Sequence, residues 1–86
     1  MKTKTIRIQL ESGLEARPVA LLVQEASKYD SKIYVNARGK KVNAKSIMGM
    51  MTLGLDNGDE LEITAEGEDE ELAVENLDNF LSGNKN

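Results

Sequence analysis

The chain contains no cysteine, no histidine and no tryptophan, and only one proline, in 86 residues. Without cysteine there is neither a disulfide nor a thiolate metal site, which fits the cytoplasm. With histidine also missing, no credible metal-binding cluster is left. The acidic run from Glu66 to Glu71 is interrupted by Gly67 and enters a helix, so it reads as a solvated helix start. Aromatic residues make up 3% of the chain (Tyr29, Tyr34 and Phe80). The core must therefore be built from aliphatic side chains and needs sheet-on-helix packing at this size. No apolar run approaches the roughly 20 residues of a membrane-crossing helix, and the N-terminus lacks a secretory hydrophobic segment. These absences describe one cytosolic domain spanning residues 1–86, with 83–86 as a disordered tail.

Charge is present but unevenly placed. The net charge is −4. Through Ser46, ten Lys and Arg face four acids; from Ile47 onward, one Lys faces eleven acids. The fold is expected to mix these halves in space. An acidic protein with no basic stripe is a poor direct ligand for nucleic acid.

The hydrophobic pattern divides the chain into seven elements. Thr3 to Leu10 alternates with period two and reads as a half-buried strand that Ser12-Gly13 breaks. Val19, Leu22, Val23 and Ala26 lie at helical spacing, predicting a helix from Ala16 to Lys28 with Pro18 in its first turn. Asp30-Ser31 leads into a strand over Lys32–Asn36, and Arg38-Gly39 turns the chain into a short strand at Lys41–Asn43. Lys45-Ser46 opens a short helix from Ile47 to about Thr52, limited by Gly54. After the turn Asp56-Asn57-Gly58-Asp59, Glu60–Ala65 alternates as a strand with one wet face. A last helix runs from Asp69 to Leu81, with Ala73, Val74, Leu77, Phe80 and Leu81 on its apolar face. Asp69, Glu70 and Glu71 favour the positive end of its dipole, and Gly83 caps its other end. The order is βαββαβα.

Two segments carry a family resemblance. Gly13-Leu14-Glu15-Ala16-Arg17-Pro18 resembles the active-site signature of the HPr phosphocarrier family of the bacterial sugar phosphotransferase system. Gly39-Lys40-Lys41-Val42-Asn43-Ala44-Lys45-Ser46-Ile47-Met48-Gly49 is similar to the regulatory-serine region of HPr proteins from Gram-positive bacteria. The resemblance covers essentially the whole chain. It implies an α+β open-faced sandwich: a four-stranded antiparallel sheet with three helices on one face.

The resemblance also implies roles. Glu15 stands where the family carries its phosphorylated histidine, with Arg17 beside it. Ser46 corresponds to the serine modified by HPr kinase/phosphorylase. Arg17, Ala20, Ile47, Met48 and Met51 correspond, with Ser46, to residues that contact partners, with Leu21 and Val23 as further contacts or, for Val23, core. Read alone, Ser46 is a helix N-cap worth about 1 kcal/mol, and Met50 is a core filler. Three readings of Glu15 stay open. It is an ordinary acid near a helix start, with carrier function lost; a partial mimic of the phosphorylated state; or a phosphate acceptor through an acyl phosphate. In the family's regulatory branch the usual replacement is glutamine, and Glu15 departs from that as well.

Altered carrier position and intact regulatory segment together imply a phosphoacceptor in carbon catabolite repression rather than an enzyme. Its implied partners are HPr kinase/phosphorylase and a LacI-type catabolite control protein. The carrier alternative implies enzyme I and enzyme IIA instead. A third reading is an unmodified protein ligand of metabolic enzymes. No cofactor is expected.

Overall fold

Residues 1–10 and 16–83 are described by a computed structural model, Ala16 through its backbone only. The elements are β1 (Lys2–Arg7), α1 (Ala16–Ser27), β2 (Lys32–Ala37), β3 (Lys40–Asn43), α2 (Ile47–Met51), β4 (Glu60–Glu66) and α3 (Glu70–Leu81). The strands form one antiparallel sheet in the order β1-β4-β2-β3. The last strand in sequence is therefore central, held between β1 and β2. Three helices cover the sheet, giving the open-faced α+β sandwich that the pattern implied.

Alternation decides which face each strand side chain meets. In β4, Leu61, Ile63 and Ala65 are buried, whereas Glu60, Glu62, Thr64 and Glu66 are not. β2 does the same with Ile33, Val35 and Ala37. The hairpin between β2 and β3 closes through Arg38 (φ 53°) and Gly39 (φ 77°). A two-residue turn of that hand matches strand twist and needs positive φ at both central residues. The helices supply Val19, Leu22, Val23 and Ala26 from α1, Met50 from α2, and Ala73, Val74, Leu77 and Leu81 from α3. Phe80 packs against this cluster from its edge.

β1 is shorter than the alternation suggested. Its pairing stops at Arg7 opposite Glu60. Beyond that, the Ile8 N–H donates to the Asp59 carbonyl at 2.9 Å and the Gln9 N–H to the Leu81 carbonyl at 2.7 Å. Ile8 stays fully buried, so the period-two pattern persists although the ladder has ended. The proposed break at Ser12-Gly13 lies outside the described residues, as do residues 84–86 of the tail expected over 83–86. Gly83 closes α3, its N–H donating to the Phe80 carbonyl.

The acidic start of α3 does more than stabilise a dipole. Asp69 makes no side-chain cap to its own helix. Its carboxylate instead accepts from the backbone N–H groups of Asp30 (2.9 Å) and Ser31 (3.0 Å) and from the Ser31 hydroxyl. These donors, the Ser31 hydroxyl foremost, hold its pKa below the ordinary value. Glu70 accepts from the Gly67 N–H at 3.1 Å and pairs with the N-terminal ammonium at 2.9 Å; that N–H first, then the ammonium, lowers its pKa. Gly67 itself has no room for a side chain. A Cβ there would lie 2.5 Å from the Ser31 hydroxyl oxygen and 2.7 Å from Ser31 Cα.

The two charge halves do mix. Lys4 pairs with Asp78, Arg7 with Glu60 and Arg38 with Asp59, each cation from the basic half and each acid from the acidic half.

Candidate functional site

Ser46 stands at the N-cap of α2 with an extended backbone (φ −110°, ψ 114°), and its hydroxyl oxygen accepts the Gly49 N–H at 3.1 Å. Capping satisfies one of the N–H groups that a helix start leaves unpaired. The Ser46 carbonyl then takes the Met50 N–H at 3.0 Å, closing the turn. Gly49 fits because a Cβ there would sit 3.3 Å from the Ser46 oxygen and 3.4 Å from Val42 Cβ. Ser46 is only partly buried.

The segment before Ser46 is anchored. The Asn43 side-chain oxygen accepts the Lys45 N–H at 2.8 Å, and the Asn43 carbonyl accepts the Ser46 N–H at 3.0 Å. The Lys45 ammonium donates to the Tyr29 carbonyl at 2.7 Å. Tyr29 is buried at the end of α1; its hydroxyl donates to Glu25 at 2.8 Å and accepts from the Asn76 amide. Burial, first among its influences, raises the Tyr29 pKa, while hydrogen bonds from Tyr29 and Lys28 lower that of Glu25. The roles of Asn43 and Lys45 were not anticipated from sequence. Asparagine two residues before an N–H is a known turn-former and could have been read as one. The Lys45–Tyr29 contact joins residues 16 apart and leaves no local trace.

Beyond Ser46, α2 divides its apolar side chains. Met50 is fully buried, as its reading as core filler required. Ile47, Met48 and Met51 are 50%, 80% and 45% exposed. Large apolar side chains this open on a five-residue helix are a surface, not a core. α1 packs against α2. Its outward face carries Arg17 and Leu21, both exposed, and the half-buried Ala20 at helical spacing. Val23 belongs to the core at 8% exposure and is no surface contact. Glu15 lies outside the described residues, so its geometry does not enter.

Among the described residues no group of His, Cys, Asp and Glu is arranged to hold a metal ion. No helix in that range is long and apolar enough to cross a membrane. The arrangement leaves Ser46 partly exposed at the start of α2 with the exposed side chains of Ile47, Met48 and Met51 beside it.

The order βαββαβα, with a β1-β4-β2-β3 antiparallel sheet covered by three helices, defines a small α+β open-faced sandwich. Comparison with known proteins makes that class specific. The family model described as "PTS HPr component phosphorylation site" matches residues 2–83, and the chain belongs to this family. It is 47% identical over 81 residues to the HPr-like protein Crh of Halalkalibacterium halodurans, covering 94% of this chain and 96% of that one. It is 48% identical over 77 residues to the HPr-like protein Crh of Bacillus subtilis, covering 90% and 91% respectively. The crystal structure of HPr-C-His from Thermoanaerobacter tengcongensis superposes with a TM-score of 0.92 at 50% identity, covering 98% of this chain and 94% of that one. Proteins of this family carry phosphoryl groups rather than turn over substrates. Identity is 47% and 48% to the two Crh proteins and 50% to HPr-C-His, so overall identity does not favour one of these relatives over the other.

Proposed function

We propose that this protein is a regulatory member of the HPr family acting in carbon catabolite repression as a single cytoplasmic domain. HPr kinase/phosphorylase modifies Ser46, and the phosphoprotein then binds a LacI-type catabolite control protein and raises its affinity for operator DNA. Histidine phosphotransfer has no part in this activity. The observation that carries the reading is the absence of any histidine in 86 residues, beside a complete regulatory-serine segment. The likeness to the two Crh proteins supports it.

The geometry around Ser46 is compatible with such a switch. A phosphate at an N-cap meets unpaired N–H groups and the positive end of a helix, so it adds about −2 of charge without requiring the fold to change. Ile47, Met48 and Met51 offer adaptable apolar contacts next to it, and Arg17, Ala20 and Leu21 extend the surface on α1. In this reading Glu15 adds a constant negative charge near α1, where a phosphohistidine would add a larger and transient one.

The carrier reading is kept as second because of the 50% identity to HPr-C-His. It requires enzyme I to load Glu15 as an acyl phosphate and enzyme IIA to unload it. Titrating operator DNA with the LacI-type protein, followed by fluorescence anisotropy, tests the first reading. The Ser46-phosphorylated protein should tighten operator binding, and a Ser46→Ala variant treated identically should not. Equal tightening by the Ser46→Ala variant would replace the phosphoserine mechanism with binding of the unmodified protein.

A further inference from the structure

The residue before Ser46 holds its cation in a particular place. Lys45 is half-buried, its backbone N–H is bound by the Asn43 side chain, and its ammonium is bound by the Tyr29 carbonyl. The Lys45 side chain lines a cleft of about 250 Å3 together with Asp30, Lys32, Tyr34 and Asn43; among the described residues Ser46 is not part of that lining. The two neighbours are bonded to different parts of the fold: the Lys45 ammonium donates to the Tyr29 carbonyl beyond α1, whereas the Ser46 hydroxyl oxygen accepts the Gly49 N–H of α2. The nearby Lys41 is placed over the Tyr34 ring, 4.7 Å from its centroid.

We propose that Lys45 is a positioning residue of the Ser46 switch: its ammonium is committed to the Tyr29 carbonyl, which fixes the entry to α2 and leaves a phosphate on Ser46 without compensation from its neighbouring lysine. This rests on the reading that Ser46 is the modified residue. An ammonium tied to a carbonyl is a charge-assisted bond, and among the described residues no other donor reaches the Tyr29 carbonyl. Moving it to the phosphate would leave that carbonyl unpaired, and would neutralise part of the charge that modification introduces. Kept in place, Lys45 makes the full phosphate charge available to cations brought by the partner. Tyr29 shares in the positioning, because its side chain is fixed between Glu25 of α1 and Asn76 of α3.

The test uses full-length protein with phosphoserine built in at position 46 by chemical ligation, so it does not depend on any kinase. Failure of the kinase to act on Ser46 would then show separately, as a fault in the functional reading. Two quantities are followed by NMR: the Tyr29 carbonyl 13C shift and the 31P titration midpoint of the phosphoserine. A cation beside a phosphate lowers its second pKa, and removing that cation raises it. If Lys45 stays on Tyr29, the Tyr29 carbonyl shift is unchanged by phosphorylation but moves in Lys45→Met. The phosphate midpoint is then the same in both proteins, and Lys45→Arg keeps the wild-type carbonyl shift. If phosphorylation itself moves the Tyr29 carbonyl, and Lys45→Met raises the phosphate midpoint, Lys45 has left for the phosphate and the proposal is overturned. Should Lys45→Met fail to fold, the carbonyl comparison between the modified and unmodified wild-type proteins decides alone.

Discussion

At Ser46 one oxygen serves two ends, capping α2 now and accepting a phosphate in the proposed switch. Those roles separate by substitution. Ser46→Ala removes the bond to the Gly49 N–H and should cost about 1 kcal/mol, seen as a lower urea midpoint with an unchanged circular dichroism spectrum. A collapse of the spectrum would mean that the cap holds far more than α2. Methionines 48 and 50 offer a sharper contrast. Met50 is 0% exposed, and Met50→Ala should cost about 2–5 kcal/mol. Met48 is 80% exposed, and Met48→Ala should change stability by no more than about 0.5 kcal/mol while weakening binding to the catabolite control protein. Gly67 is decided by space. Its alanine variant must displace Ser31, at a cost of about 1–3 kcal/mol by chemical denaturation, and more if the Asp69 bonds are also lost.

At the scale of elements, α2 and the start of α3 show how short segments are held. Five residues cannot sustain a helix in water. α2 persists through the Ser46 cap, the buried Met50 and the anchored approach from Asn43 and Lys45. The approach to β2 is held from α3 by Asp69, whose carboxylate accepts three hydrogen bonds from Asp30 and Ser31. Its pKa is lowered in the folded protein, so the unfolded chain binds its proton more tightly. The stabilisation is complete above the ordinary value of 3.8 and is lost as pH falls through it toward the lowered folded value. Asp69→Asn should therefore be less stable at neutral pH and lose less on acidification, as measured by urea midpoints across that range. Parallel losses in both proteins would place the acid sensitivity elsewhere, with Glu70 the next carboxylate to replace.

For the whole molecule, the order of elements was legible because each has its own period and its own punctuation. β4 shows strict alternation, α3 repeats Ala73, Val74, Leu77 and Leu81 at helical spacing, and Arg38-Gly39 marks the hairpin. The surface residues Ile47, Met48 and Met51 were legible through family resemblance, and Met50 as an adaptable core filler. What stayed hidden depends on partners distant in sequence. Nothing local tells that β1 ends at Arg7, because Ile8 and Gln9 are claimed by Asp59 and Leu81. The acids Asp69 and Glu70 look like a solvated helix start until Ser31, Gly67 and the N-terminus arrive beside them. The alternation in charge between halves was legible, but the pairs that join them, such as Lys4 with Asp78, required the fold. Such exposed pairs contribute on the order of 0–1 kcal/mol each, so the aliphatic core, not the surface charge, holds the molecule together.

The central claim is that a phosphoryl group enters at Ser46 and not at position 15. Separate incubations with HPr kinase/phosphorylase plus ATP and with enzyme I plus phosphoenolpyruvate, read by intact and peptide mass spectrometry at neutral pH, address it directly. The account predicts one phosphate on Ser46 in the first sample and none in the second. Phosphate on Glu15 in the second sample would contradict it and restore the carrier reading, and an unmodified Ser46 in the first would remove the switch.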